Sequence, residues 1–178
     1  ISMPLDEVEK PPKTWQELPS DFAEAVGIVH HTAGRDTCKF ATTCIHIHPK
    51  WLEATDGIQL CRWRLKTGVK VPILVREVAL KHVTGLGMRE FAETNGWIHF
   101  RNAAGAVMSC RRYLEEYPDL THYYKENGGH PATLPKGLAE AADKAGIFSR
   151  DNDVDLVEVW VEKQRVRVEG RGVSGRYQ

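Results

Sequence analysis

The feature that most constrains this chain is a change of hydrophobic period that happens twice in the same order. A helical stripe, Phe22, Val26 and Val29, gives way to strict alternation at Cys44-Ile45-His46-Ile47-His48. Side chains three or four apart share one face of a helix, whereas a period of two marks a strand with one apolar face. Trp51-Leu52-Glu53-Ala54 and Gln59 to Leu65 read as two more strands, and Val71 to Val75 is extended. Arg76 to Val83 is again helical in character. Arg89–Glu93, Trp97–Arg101 and Ala106–Tyr113 then read as strands, with Asn95-Gly96 as a hairpin signal. Helix then three strands, twice, is an internal repeat of about 55 residues. Such a pattern predicts an α+β fold in which two helices share antiparallel sheets.

The boundaries follow from turn and breaker residues. Residues 1–18 read as an extended segment and linker, because Lys10-Pro11-Pro12-Lys13 has no place inside a helix. A helix over 19–34 starts at Ser20 as N-cap and stops at Gly34. Residues 19–124 form one complete domain and 125–131 a linker containing Gly128-Gly129-His130-Pro131. Residues 132–178 are a partial second domain. It has a short strand at Ala132-Thr133-Leu134, a helix from Pro135 to Ala145, and a hairpin of alternating valines around Glu162-Lys163-Gln164. The chain opens on Ile1, as expected of an excised or processed piece.

Charge and composition narrow the function. Lys plus Arg and Asp plus Glu both count 24, so coating nucleic acid by bulk charge is not expected. No apolar run reaches the roughly 18 residues of a membrane span. The four cysteines, Cys38, Cys44, Cys61 and Cys110, form no CxxC pair and fit reduced thiols in a cytoplasmic protein. No nucleophile elbow, P-loop or zinc-protease motif occurs, so no catalytic residue is assigned and no cofactor is expected. Cys44, His46 and His48 share one strand face with soft and imidazole ligands, which leaves a small metal-dependent enzyme as a rival reading. His30 and His31 sit near a helix end and diverge by about 100°. Basic residues gather near the helices: Arg35 and Lys39 after the first, Arg76, Lys81 and His82 at the second, Lys136 and Lys144 at the third. On a shared side they would face phosphates.

Further motifs carry a resemblance. Ala54-Thr55-Asp56-Gly57-Ile58-Gln59-Leu60, Val75-Arg76 and Tyr117-Pro118-Asp119 occur in order. Leu134-Pro135, Ala141-Ala142, Lys144-Ala145 and Ile147-Phe148-Ser149 follow them. Over residues 16–169 this series resembles the bacterial DNA sliding clamp, the beta subunit of DNA polymerase III. That family has Ala-Thr-Asp-Gly in its middle domain, then Val-Pro-Arg and Phe-Pro-Asp-Tyr. The departures are Ile58-Gln59 in place of His-Arg or Tyr-Arg, Val75 in place of Pro, and the Thr121-His122-Tyr123 region in place of a basic residue. Nothing resembles the family's first domain, and the third stops partway.

The resemblance implies a non-catalytic processivity factor of DNA replication, with helices lining a ring around duplex DNA and sheets outside. It implies sequence-independent contact with double-stranded DNA through Arg35, Lys39 and Arg76. It also implies a pocket for polymerase and clamp-loader peptides lined by Phe40, Thr55, Gly57, Leu60, Pro118 and Tyr123, where a side chain at position 57 would intrude on the peptide. Self-association into a homodimeric ring is expected of the full-length protein. A non-DNA interaction domain is the blander alternative.

Overall fold

The computed structural model describes residues 8–125, 133–149, 156–162, 165–173 and 175–178. The chain divides into two compact units, Ile1–Leu120 and Thr121–Gln178.

The first unit runs β1 (Gln16–Glu17), α1 (Phe22–Val29), β2 (Cys44–His48), β3 (Trp51–Thr55) and β4 (Leu60–Arg64). It then repeats the series as β5 (Ile73–Arg76), α2 (Glu77–Gly85), β6 (Glu90–Glu93), β7 (Trp97–Arg101) and β8 (Val107–Arg111). Each half is therefore strand, helix, three strands. The leading strands exchange: β1 pairs with β6 of the second half, and β5 pairs with β2 of the first. Two antiparallel four-stranded sheets result, in the orders β1-β6-β7-β8 and β4-β3-β2-β5. They are stitched where Leu74 and Tyr113 exchange two backbone hydrogen bonds of 2.9 Å.

Both helices pack on the inner side of these sheets. Phe22, Ala25, Val26 and Val29 of α1 and Leu80 and Val83 of α2 join Ile45, Ile47, Leu52, Val75, Phe91, Ile98 and Phe100 in one core. The α1 stripe and the β2 alternation thus feed one core, in which α1 lies against β3 and β4 and α2 against β2 and β5. Burying a side chain of this size stabilises the fold by about 1.5–3 kcal/mol.

Several local expectations need correction. The first helix begins after Asp21, not Ser20, and Asp21 makes no side-chain cap. Its carboxylate instead accepts from Trp63 Nε1 at 3.4 Å. Beyond Val29 the helix tightens into a 3₁₀ turn, His30–Thr32, well short of Gly34. In that turn the His30 and His31 rings come to 3.9 Å rather than diverging. Residues 16–18 are no linker, since β1 adds to β6 and Leu18 N–H donates to the Arg89 carbonyl at 2.7 Å. Before β2, Thr37–Thr43 forms 3₁₀ turns, with the Thr42 and Thr43 hydroxyls closed onto the Lys39 and Phe40 carbonyls.

The second unit packs α3 (Leu138–Ser149) on an antiparallel sheet of β9 (Val157–Glu162), β10 (Arg165–Gly172) and β11 (Gly175–Tyr177), in the order β11-β10-β9. Helix and sheet approach closely at Gly170, where a Cβ would stand 1.8 Å from the Ala145 carbonyl oxygen. Thr133 and Leu134 are not in a strand. Ala132, residues 126–131 of the expected linker, and Lys163 and Gln164 of the expected turn lie outside the described residues. Among the described residues no helix is long and apolar enough to cross a membrane.

Candidate functional site

The connection from β3 to β4 is a self-braced turn. Thr55 Oγ1 donates to the Gln59 carbonyl at 2.7 Å and accepts the Gly57 N–H at 3.0 Å. Asp56 Oδ1 accepts the Ile58 and Gln59 N–H groups, each at 2.8 Å. Burial pushes the Asp56 carboxyl up, but those hydrogen bonds prevail and hold it below the usual range. Gly57 has φ +92, where a side chain is strained. A Cβ there would meet nothing within 4 Å, so the backbone, not crowding within the unit, requires glycine. The turn pushes Ile58 out to 97% exposure, while Leu60 is half-buried.

Register carries this turn into the sheet. Leu60 stands opposite Thr55, and Cys44 opposite Arg76. The β2–β3 register that sets His46 against Glu53 runs on toward Cys44 and Thr55. Leu60, Thr55, Cys44 and Arg76 thus form one transverse row on the face away from the core. Phe40 lies over it: its carbonyl accepts from the Cys44 thiol at 3.8 Å, its ring meets Tyr113 edge-on at 4.7 Å, and the Arg76 guanidinium sits 5.5 Å from its centroid. Tyr117 stacks on His46 at 4.8 Å, and Pro118 beside it is exposed. Phe40, Thr55, Gly57 and Leu60 therefore share one surface with Pro118 next to it. Tyr123 belongs to the second unit, where it is 62% exposed and its ring lies 3.8 Å from His122.

Of the basic residues, Arg35 and Lys39 are exposed after α1. Arg76 differs from its expected place among them. Strand alternation puts Val75 in the core and Arg76 on the opposite face, above Phe40, so it does not share the exposed helix side. That helix side carries Glu24, Ile28, His31, Val78, Lys81 and His82. Glu77 receives His30 Nδ1 at 3.2 Å and Lys81 at 3.8 Å. Burial first, then the charges of His31 and Lys81, keeps His30 below the usual imidazole range.

Cys44, His46 and His48 do share a strand face, but each is engaged elsewhere. Burial pushes the Cys44 thiol up to about 11. His46 Nδ1 bonds Glu53 Oε1 at 2.7 Å, and the His48 ring stacks on Trp51 at 3.6 Å. Among the described residues no three His, Cys, Asp or Glu are placed to hold a metal ion. The residue that sequence reasoning missed is Glu53. It is 2% exposed and accepts from His46, from Trp51 Nε1 at 3.0 Å and from Arg62 at 2.7 and 2.6 Å. A Glu at an inner strand position opposite Arg62 was the available signal.

Two helices on one side of exchanged antiparallel sheets, followed in the chain by a further helix-and-sheet unit, have the DNA-clamp fold. Solved structures of bacterial sliding clamps share it. The beta chain of DNA polymerase III from Streptococcus pneumoniae is 16% identical with a TM-score of 0.73, over 96% of this chain and 49% of that one. The DNA polymerase sliding clamp from Bacillus subtilis is 13% identical with a TM-score of 0.74, over 97% and 50%. The DNA polymerase III beta subunit from Thermotoga maritima is 16% identical with a TM-score of 0.70, over 98% and 52%. This chain thus spans about half the length of the clamps it matches. No protein-family model and no curated protein matches it.

Proposed function

We propose that this chain is part of a DNA sliding clamp, a non-catalytic processivity factor that encircles duplex DNA in the cytoplasm and tethers replication proteins. The observation that carries the reading is the match of nearly the whole chain, at TM-scores of 0.70 to 0.74, to half of three bacterial clamps. Ring closure and self-association belong to the full-length protein, and the domain division at about residues 125–131 belongs to the same reading.

A clamp must hold DNA without stopping on it. Long-range attraction to phosphates suits that task, and base-edge readout does not. Zero net charge with exposed Arg35 and Lys39 is compatible with a loose hold. Charge reversal at Arg35 and Lys39 is expected to slow loading of the full-length protein onto DNA and to flatten its salt dependence, by about 0.9 in log–log slope for each phosphate no longer neutralised. Loading measured across a salt series checks this, and an unchanged slope would remove both residues from the DNA face.

The turn surface of Phe40, Thr55, Gly57, Leu60 and Pro118 in the first unit is the proposed peptide site. A short apolar peptide there is expected to bind in the micromolar range, about −8 kcal/mol. Leu60→Ala should cost roughly 1–3 kcal/mol of that binding while leaving the fold intact. Titration of a fluorescent clamp-binding peptide against both forms of the full-length protein is the check. Equal affinities, with both proteins folded, would withdraw the site.

A further inference from the structure

The side of α1 and α2 that faces away from the core has little fixed positive charge. Glu24, Ile28 and His31 stand there on α1 and the turn that continues it, and Val78, Lys81 and His82 stand there on α2. Glu77 lies where the two helices meet, and it receives His30 Nδ1 at 3.2 Å and Lys81 at 3.8 Å. With His30, His31 and His82 neutral, Glu24 and Glu77 outnumber Lys81, and the side is negative by one charge. With all three protonated it is positive by two. Duplex DNA, a dense line of phosphates, repels the first state and attracts the second. Histidine is the side chain whose ordinary charge change falls between about pH 5 and 8.

The three imidazoles are grouped. The His30 and His31 rings lie 3.9 Å apart, and His30 is joined to α2 through Glu77, one helical turn from Lys81 and His82. Burial first, then the charges of His31 and Lys81, hold His30 down, and Glu77 works against them. Next to His31, the Gln59 amide donates to the His31 carbonyl at 3.4 Å and to Asp56 at 3.2 Å, which sets one more carboxylate at the edge of the group. Phosphates brought alongside would oppose the mutual repulsion, since nearby negative charge favours imidazolium. Proton binding and DNA binding then strengthen each other by the same factor.

We infer that His30, His31 and His82 form a proton-gated, phosphate-facing patch, so that the helix side holds duplex DNA in mild acid and lets it go in mild alkali. The inference rests on the clamp reading above, in which this side faces DNA, and adds a regulation to it. Arg35 and Lys39, exposed after α1 with the exposed Asp36 between them, supply the attraction that pH leaves unchanged.

The test uses the full 178-residue chain and a short fluorescein-labelled DNA duplex. Fluorescence anisotropy in low salt is expected to give at least tenfold tighter binding at about pH 6 than at about pH 8, a range in which histidines titrate and surface carboxylates do not. The log–log salt slope should be steeper in acid by about 0.9 for each phosphate that an imidazolium meets. Combining His30→Gln, His31→Gln and His82→Gln should remove most of the gain in acid, whereas His122→Gln, in the second unit, should leave it whole. A role for these histidines in folding alone would not flatten the pH profile of a folded variant. Equal affinity at both pH values in the unaltered chain would overturn the inference and leave DNA contact standing. Binding at neither pH would overturn the inference together with the reading that this side faces DNA. If the triple variant does not fold, the pair His31→Gln and His82→Gln, both at exposed positions, reads the same quantity, and an undiminished gain in acid overturns the patch.

Discussion

Gly170→Ala is expected to unfold the Thr121–Gln178 unit while leaving the first unit intact. The added methyl would sit 1.8 Å from the Ala145 carbonyl oxygen and 2.5 Å from its carbon. Both are backbone atoms of α3, so no rotamer change relieves the clash. The helix must lift off β10, and the packing around Ala145, Val168 and Ser149, all buried, goes with it. Overpacking usually costs about 1–3 kcal/mol, and a backbone collision of this depth belongs at or above the top of that range. A unit this small has little stability to lose. Hydrogen exchange should show lost protection across β9 and β10 and unchanged protection at Ile45 and Phe100. Gly146→Ala is the control on the same helix. Its Cβ would meet only Val157 Cγ2 at 3.9 Å, and alanine favours a helix interior over glycine by about 1 kcal/mol. Equal stability of the two variants would contradict the close approach of helix and sheet.

Arg62→Ala is expected to destabilise the first unit by about 3–5 kcal/mol at neutral pH, because it strands the Glu53 carboxylate in a site that is 2% exposed. Burial by itself pushes the Glu53 carboxyl up. Hydrogen bonds from His46, Trp51 and Arg62 reverse that and hold it below the usual carboxylate range. A depressed folded-state pKa gives stability that is present above the unfolded carboxylate pKa and is lost as pH falls through the folded value. The unaltered protein should therefore lose this contribution on acidification. The penalty of Arg62→Ala should shrink over the same range, since the orphaned Glu53 protonates. Denaturant unfolding of both forms at pH 7.5 and in mild acid reads the difference. A penalty independent of pH would mean that Glu53 is not the group Arg62 compensates. Glu53→Leu combined with Arg62→Leu should cost less than Arg62→Ala alone.

Much of the first unit is legible because its signals are local. Ile45 and Ile47 alternate with His46 and His48, and the strand follows. Phe22, Val26 and Val29 repeat at helical spacing, and α1 follows. Asn95-Gly96 marks the hairpin between β6 and β7, yet no residue of that turn has positive φ. The turn is held instead by Glu9, whose carboxylate accepts the Asn95 and Gly96 N–H groups at 2.9 and 3.2 Å from 86 and 87 residues away. Nothing local announces such a brace. For the same reason β1 reads as linker: two exposed residues have no pattern of their own, and Gln16–Glu17 is a strand only because β6 is beside it.

The candidate site was legible as a turn and obscure as a surface. Asp56 and Gly57 specify the turn by side-chain capping and by φ. Which side chains meet across β4, β3, β2 and β5 depends on register between strands up to 32 residues apart, such as Cys44 and Arg76. Arg76 shows the cost of a single-residue error. Read as the first residue of a helix it joins the other helix-side cations. As the last residue of β5 it points to the opposite face, because strand side chains alternate.

The central claim is that the protein is a clamp, and topology tests it most directly. The labelled full-length protein is loaded onto nicked circular duplex DNA, washed in salt high enough to strip non-encircling binders, and the DNA is then cut once. A ring held by encirclement stays on the circle and leaves when the ends are freed, whatever the sequence at the cut. Retention that is the same on circular and linear DNA, or that is lost from both in the salt wash, would contradict the clamp reading.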